Sequence, residues 1–136
     1  MNRPLLPILS TLVFVLLGAS LYVFTQAAAP ASPEEARKQA ALEKISQAIK
    51  TPVTIGNMTL MSVQAKPGRV QEFSYEVMDE AKFNTQKDAA RAQIITQTCR
   101  MMRFDKEGLS QATIYRYSKA GRELLTITVT LSECRD

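Results

Sequence analysis

The stretch TIYRYSKAGRELLTITVTLSEC, Thr113 to Cys134, decides the fold. In its second half Leu125, Ile127, Val129 and Leu131 alternate with Thr126, Thr128 and Thr130. Successive side chains of a strand point to opposite faces, so this is a strand with one apolar face and one threonine face. Ser118-Lys119-Ala120-Gly121 interrupts the pattern, and Gly121 suits the left-handed backbone of a short hairpin loop. The stretch reads as a hairpin of Gln111–Tyr117 and Arg122–Ser132, with the last strand expected near the centre of a sheet and its threonines on the wetter side.

Upstream, Ala92, Ile95, Cys99 and Met102 recur at helical spacing, flanked by Ala90, Ile94 and Met101, while Lys87, Arg91, Gln93, Gln97 and Arg100 fall outside. This predicts a helix from Asp79 or Asn84 to about Met102, ended by Asp105-Lys106-Glu107-Gly108. Before it, Met58–Ala65 and Val70–Met78 flank Lys66-Pro67-Gly68-Arg69, whose Pro-Gly centre matches a type II turn. Further back, Ser32 as N-cap, Pro33 at the first helical position and Glu34 and Glu35 in the first turn open another helix, with Glu35 completing a capping-box pattern. Lys50-Thr51-Pro52 stops it, and Leu42, Ile45 and Ile49 are expected toward the core. The order helix-strand-strand-helix-strand-strand predicts an α+β fold. Its antiparallel four-stranded sheet is packed by two helices and preceded by an N-terminal hydrophobic helix.

That leading helix is Leu5–Phe24, LLPILSTLVFVLLGASLYVF, with no charged side chain. Its length gives roughly 30 Å of helix, about one hydrocarbon thickness. Arg3 precedes it, and Ala29-Pro30-Ala31 or Thr25-Gln26-Ala27 offers a cleavage site, so it reads as either a retained anchor or a cleaved signal. The expected organisation is a signal sequence or anchor at 1–26, a linker at 27–33 and a periplasmic α+β domain at 34–136. In both cases the positive flank stays inside and the domain crosses the membrane. An exported domain with two cysteines pairs them, so Cys99 and Cys134 are expected to form a disulfide. Strand parity puts Cys134 on the threonine side, which requires a bend near Ser132-Glu133.

The composition excludes much. The chain has no histidine, the commonest general base and metal ligand. Its formal charge of +4 is scattered among acidic residues, unlike the concentrated basic face of a nucleic-acid binder. No G-x-S-x-G, H-E-x-x-H, P-loop or dinucleotide fingerprint occurs. Glu72 and Glu76 read as a solvent face rather than a catalytic pair. We expect no enzyme, cofactor, metal site, nucleic acid or small-molecule substrate. Three groups are candidates for partner binding. Tyr115-Arg116-Tyr117 combines hot-spot residue types, with core packing of the tyrosines as the other reading. Arg100 and Arg103, with Lys106, form a basic helix end that the helix dipole also explains. Met58 and Met61, with Met78, Met101 and Met102, either fill the core or line an adaptable apolar groove between sheet and helices.

The layout resembles small envelope domains of Gram-negative bacteria, among them the pilotins of type II secretion that have an α/β fold and one disulfide. The resemblance covers residues 53 to 134. It is carried by size, export, the hairpin-helix-hairpin order, and the closing TIYRYSKAGRELLTITVTLSEC with one cysteine partner in the preceding helix. Those pilotins are typically lipoproteins, whereas no cysteine follows the apolar run here. The resemblance implies an accessory domain that binds an envelope protein, and it carries no site residues. A membrane-anchored blocking protein, for superinfection exclusion or toxin immunity, is the second expectation. A small hydrolase or thiol-disulfide enzyme is the third.

Overall fold

A computed structural model describes residues 32–134. The elements in chain order are α1 (Pro33–Ala48), β1 (Val53–Ile55), β2 (Met58–Lys66), β3 (Val70–Val77), α2 (Glu80–Phe104), β4 (Ala112–Lys119) and β5 (Arg122–Thr130), then a 3-10 turn (Leu131–Cys134). The sheet has five strands in the order β1-β2-β3-β4-β5. All neighbours are antiparallel except β3 and β4, which are parallel.

The expected four-stranded antiparallel sheet is therefore corrected twice. Val53–Ile55 is an extra edge strand, hairpinned onto β2 through Gly56-Asn57, with Gly56 at a φ of +60°. And α2 acts as a crossover: it carries the chain back so that β4 starts beside the start of β3, and only such a long connection joins parallel neighbours. The last strand is likewise not central; β5 is an edge strand. Its faces fall as expected, with Ile127 and Val129 buried and Thr128 exposed. The predicted hydrophobic helix at Leu5–Phe24 lies outside the described residues. Among those described, no helix is long and apolar enough to cross a membrane.

Both helices lie on one face of the sheet. Register puts Gln71 beside Thr113, Phe73 beside Tyr115 and Tyr75 beside Tyr117. From this face Gln71 Nε2 donates to Ser46 Oγ of α1 at 3.1 Å, and the Tyr115 hydroxyl bonds Thr98 Oγ1 of α2 at 2.8 Å. The core gathers Val77, Phe83, Met102, Tyr117, Ile127, Val129 and Cys134. Phe73 stacks on Tyr115 at 5.2 Å and Tyr75 on Tyr117 at 5.0 Å, so the parallel β3–β4 pair is zipped by two aromatic pairs.

Capping fixes α2. The Asp79 carboxylate accepts from Lys82 N, settling the start that the sequence left between Asp79 and Asn84. At the other end Asp105 accepts from the amides of Glu107, Gly108 and Leu109. Its buried stripe is Phe83, Thr98 and Met102, with Ala90, Ile94 and Cys99 half-buried, so Ala92 and Ile95, expected on the core face, are instead exposed. In α1, Leu42 and Ser46 are buried while Ile45 is exposed; Ile49, just past the helix end, is half-buried. The 3-10 turn supplies the bend required after β5: it rotates Cys134 out of strand parity and toward α2.

Candidate functional site

An apolar groove of about 220 Å³ opens between the N-terminal half of α2 and the β1–β2 hairpin. Phe83, Ala90 and Ile94 form one wall, Ile55 and Met58 the other, and Tyr117, Leu125 and Ile127 the floor. The floor is closed: Tyr117 is 3% exposed and its ring tilts against Phe83 at 5.4 Å. The lip is open, with Ile55 58% exposed. Its polar linings are Asn57 and Gln86, beside the Tyr117 phenol.

The walls are stapled together. Asn57 Nδ2 donates to Asp79 O, and Asp79 N donates to Asn57 Oδ1, both at 2.9 Å. Met78 N also donates to Asn57 O at 2.9 Å. One asparagine of the hairpin thus grips the residue that caps α2, so the groove is formed before anything binds. A second, smaller cleft of about 170 Å³ lies between α1 and the C-terminal half of α2, lined by Leu42, Ile45, Met101 and Met102 among others. Ser110 Oγ, also lining it, is buried with no hydrogen-bond partner.

The structure distributes the sequence candidates unevenly. Met58 lines the groove, while Met61 stands 51% exposed at the bulge between Leu60 and Ser62. Tyr117 is groove floor and Tyr115 is half-buried and bonded to Thr98, so both rings pack inward. Arg116 is on the opposite, open face of the sheet, paired with Glu72 at 3.1 Å and Glu123 at 3.4 Å. Arg100 is exposed on α2, and Arg103 Nε donates to Cys134 O at 3.0 Å. Cys99 and Cys134 form the disulfide, with Cα atoms 5.1 Å apart. Sequence reasoning missed Ile55, Asn57 and Phe83 as groove residues. The signal was present in Val53-Thr54-Ile55-Gly56-Asn57-Met58, β-branched residues before a Gly-Asn turn.

The electrostatics follow from burial. Desolvation pushes the phenols of Tyr75, Tyr115 and Tyr117 above their ordinary value, Tyr117 most of all. The groove therefore presents neutral surface throughout the physiological range. Among the described residues no cluster of three or more metal-ligating side chains is placed to hold an ion. The arrangement can grip apolar side chains.

No protein-family model matches this chain. No curated protein matches it either. Two solved structures share its fold. One is a Pseudomonas aeruginosa protein inferred to be secreted, with a TM-score of 0.57 and 17% identity over 78% of this chain and 100% of that one. The other is the pilotin of the Vibrio vulnificus type 2 secretion system, with a TM-score of 0.60 and 11% identity over 78% of this chain and 99% of the pilotin. At these identities the likeness is one of fold, and the fold is pilotin-like.

Proposed function

We propose that this chain is a non-catalytic accessory protein of a bacterial cell envelope that binds an envelope protein through the groove beside β1. Residues 1–26 serve as signal or anchor, 27–33 as linker, and 34–136 as the periplasmic binding domain. The carrying observation is the preformed apolar groove with an open Ile55 lip. Its volume of about 220 Å³ is below the roughly 300–1,000 Å³ of small-molecule pockets, and it suits one or two large side chains of a partner segment. The fold shared with a secretion-system pilotin and a protein inferred to be secreted supports the envelope placement. Neither neighbour is named for an enzymatic activity.

The test is photo-crosslinking in cells with the full chain, the reactive side chain replacing Ile55. One dominant envelope-protein adduct is expected. Ala90→Glu, which puts a charge into the groove, should abolish it while the disulfide still forms. Adducts only with cytosolic proteins, or an adduct indifferent to Ala90→Glu, would refute the proposal.

A further inference from the structure

Three features meet at the end of the domain opposite Met78 and the start of α2. The chain enters there: Pro33 starts α1, and Glu35 in its first turn grips Arg69 through Nε at 2.9 Å and the second terminal nitrogen at 3.2 Å. The same guanidinium reaches the carbonyls of Gly108 and Leu109, just past the last residue of α2. At that helix tip two large apolar side chains face solvent, Phe104 at 78% exposure and Met101 at 68%. Ile45, across the cleft from Met101, is exposed as well. Arg100 stands one turn before Phe104, and Lys106 two residues after it; both are exposed.

An aromatic and a methionine presented together with basic side chains are the elements of an interfacial membrane contact, in which apolar groups enter the headgroup region and cations meet lipid phosphates. The tether makes such a contact reachable. The chain from Phe24 to Pro33 spans at most about 30 Å even when fully extended. A domain held by Leu5–Phe24 therefore keeps the surface around Pro33 near the bilayer. Glu107 lies in the same turn as Lys106, so the basic residues orient the tip while Phe104 and Met101 supply the insertion.

We propose that the C-terminal tip of α2 is a membrane-contact surface, with Phe104 and Met101 seated among the headgroups and Arg100 and Lys106 on anionic phosphates. The inference rests on the envelope placement proposed above and on retention of the leader. It sets the orientation of the domain: the groove lip at Ile55 would point away from the bilayer, toward a partner.

The chain contains no tryptophan, so Phe104→Trp is a unique reporter on a site whose side chain is already exposed. The full chain is reconstituted in vesicles of phosphatidylethanolamine and phosphatidylglycerol. Met78→Trp is the control, since α2 separates the two positions by about 37 Å. Emission from position 104 should shift to the blue, and lipids spin-labelled near the headgroup should quench it at least twofold more than emission from position 78. Arg100→Gln combined with Lys106→Gln should reduce that quenching. Equal quenching of both positions by aqueous iodide, with no response to labelled lipid, overturns the contact. So does a shift at position 104 that needs no lipid and grows with protein concentration, which would mean a second copy covers the tip. Intact mass of the native chain from membrane fractions reads the leader separately. Loss of residues 1–26 refutes the tether, and cytosolic recovery refutes the envelope placement, each independently of the quenching result.

Discussion

Arg69, in the turn between β2 and β3, sits where three segments meet: its own turn, α1 and the loop before β4. Its backbone N donates to Gln39 Oε1 at 2.9 Å, its carbonyl accepts from Gln111 N at 2.8 Å, and its side chain holds Glu35 and the 108–109 loop. It does so at a φ of 58°, a left-handed conformation that residues with a Cβ rarely adopt, so the turn alone does not account for an arginine there. The buried guanidinium with its partners does. Deleting one member of a buried pair typically costs about 3–5 kcal/mol; because Glu35 is half open to water, we expect the lower end, about 3 kcal/mol, for Arg69→Ala in urea unfolding. Glu35→Gln should cost clearly less, and equal losses would contradict this account. The tyrosines give a second residue-scale prediction. Tyr75, Tyr115 and Tyr117 have folded pKa values raised above the ordinary 10.0 by burial. Above about pH 10 the unfolded chain then loses phenolic protons before the folded one, so stability is complete below that pH and falls as pH rises beyond it. Alkaline titration should show tyrosinate absorbance appearing together with loss of the fold. A smooth titration of all the phenols with the fold intact would remove Tyr117 from the core.

At the scale of elements, the disulfide joins the one turn that ends β5 to the last third of α2. It closes a loop with a sequence separation of 35, for which chain entropy gives roughly 4 kcal/mol as an upper value. Cys99→Ala with Cys134→Ala should therefore lower stability by about 2–4 kcal/mol. On a domain of this size that is a fall of roughly 10–20 °C in Tm, readable by calorimetry. The bridge was legible in the sequence because two cysteines, on a chain whose leader predicts export, leave one pairing. The two flanking hairpins were legible because Pro67-Gly68 and Ala120-Gly121 are local turn signals with local geometry, and both turns form. What was not legible is what depends on distant neighbours. Period-2 alternation marks which side of β3 and β4 is covered; it carries nothing about which strands lie side by side, so the parallel pairing was invisible. Thr98 hid the true inner face of α2, since a threonine whose hydroxyl bonds Tyr115 counts as polar in a hydropathy pattern yet is buried. The groove shared this fate: Met58 was read, but Ile55 ends a three-residue strand too short for periodicity to register, and Asn57 lies in the turn after it.

The whole molecule is held unevenly, and the groove straddles the division. β3, β4, β5 and α2 share the core cluster, the aromatic stacks and the disulfide. By contrast α1 buries only Leu42 and Ser46 of its 16 residues, and all of β1 is exposed. Local opening free energy tracks such burial, so the two parts should not open together. Hydrogen exchange should show α1 and β1 exchanging through small openings whose rates are insensitive to low denaturant, while central amides of β3 and β4 exchange only with global unfolding. Removing the disulfide should speed exchange in β3 and β4 and leave α1 and β1 nearly unchanged, because their opening does not involve the bridge. Uniform protection across the domain, or a disulfide effect as large in α1 as in β4, would refute this division. If the division holds, it bears on recognition: Phe83 and Ile94 stand on the rigid part, while Ile55 belongs to the loosely held edge strand and is tied at its root by Asn57. A partner entering the groove would meet one fixed wall and one that can close on it.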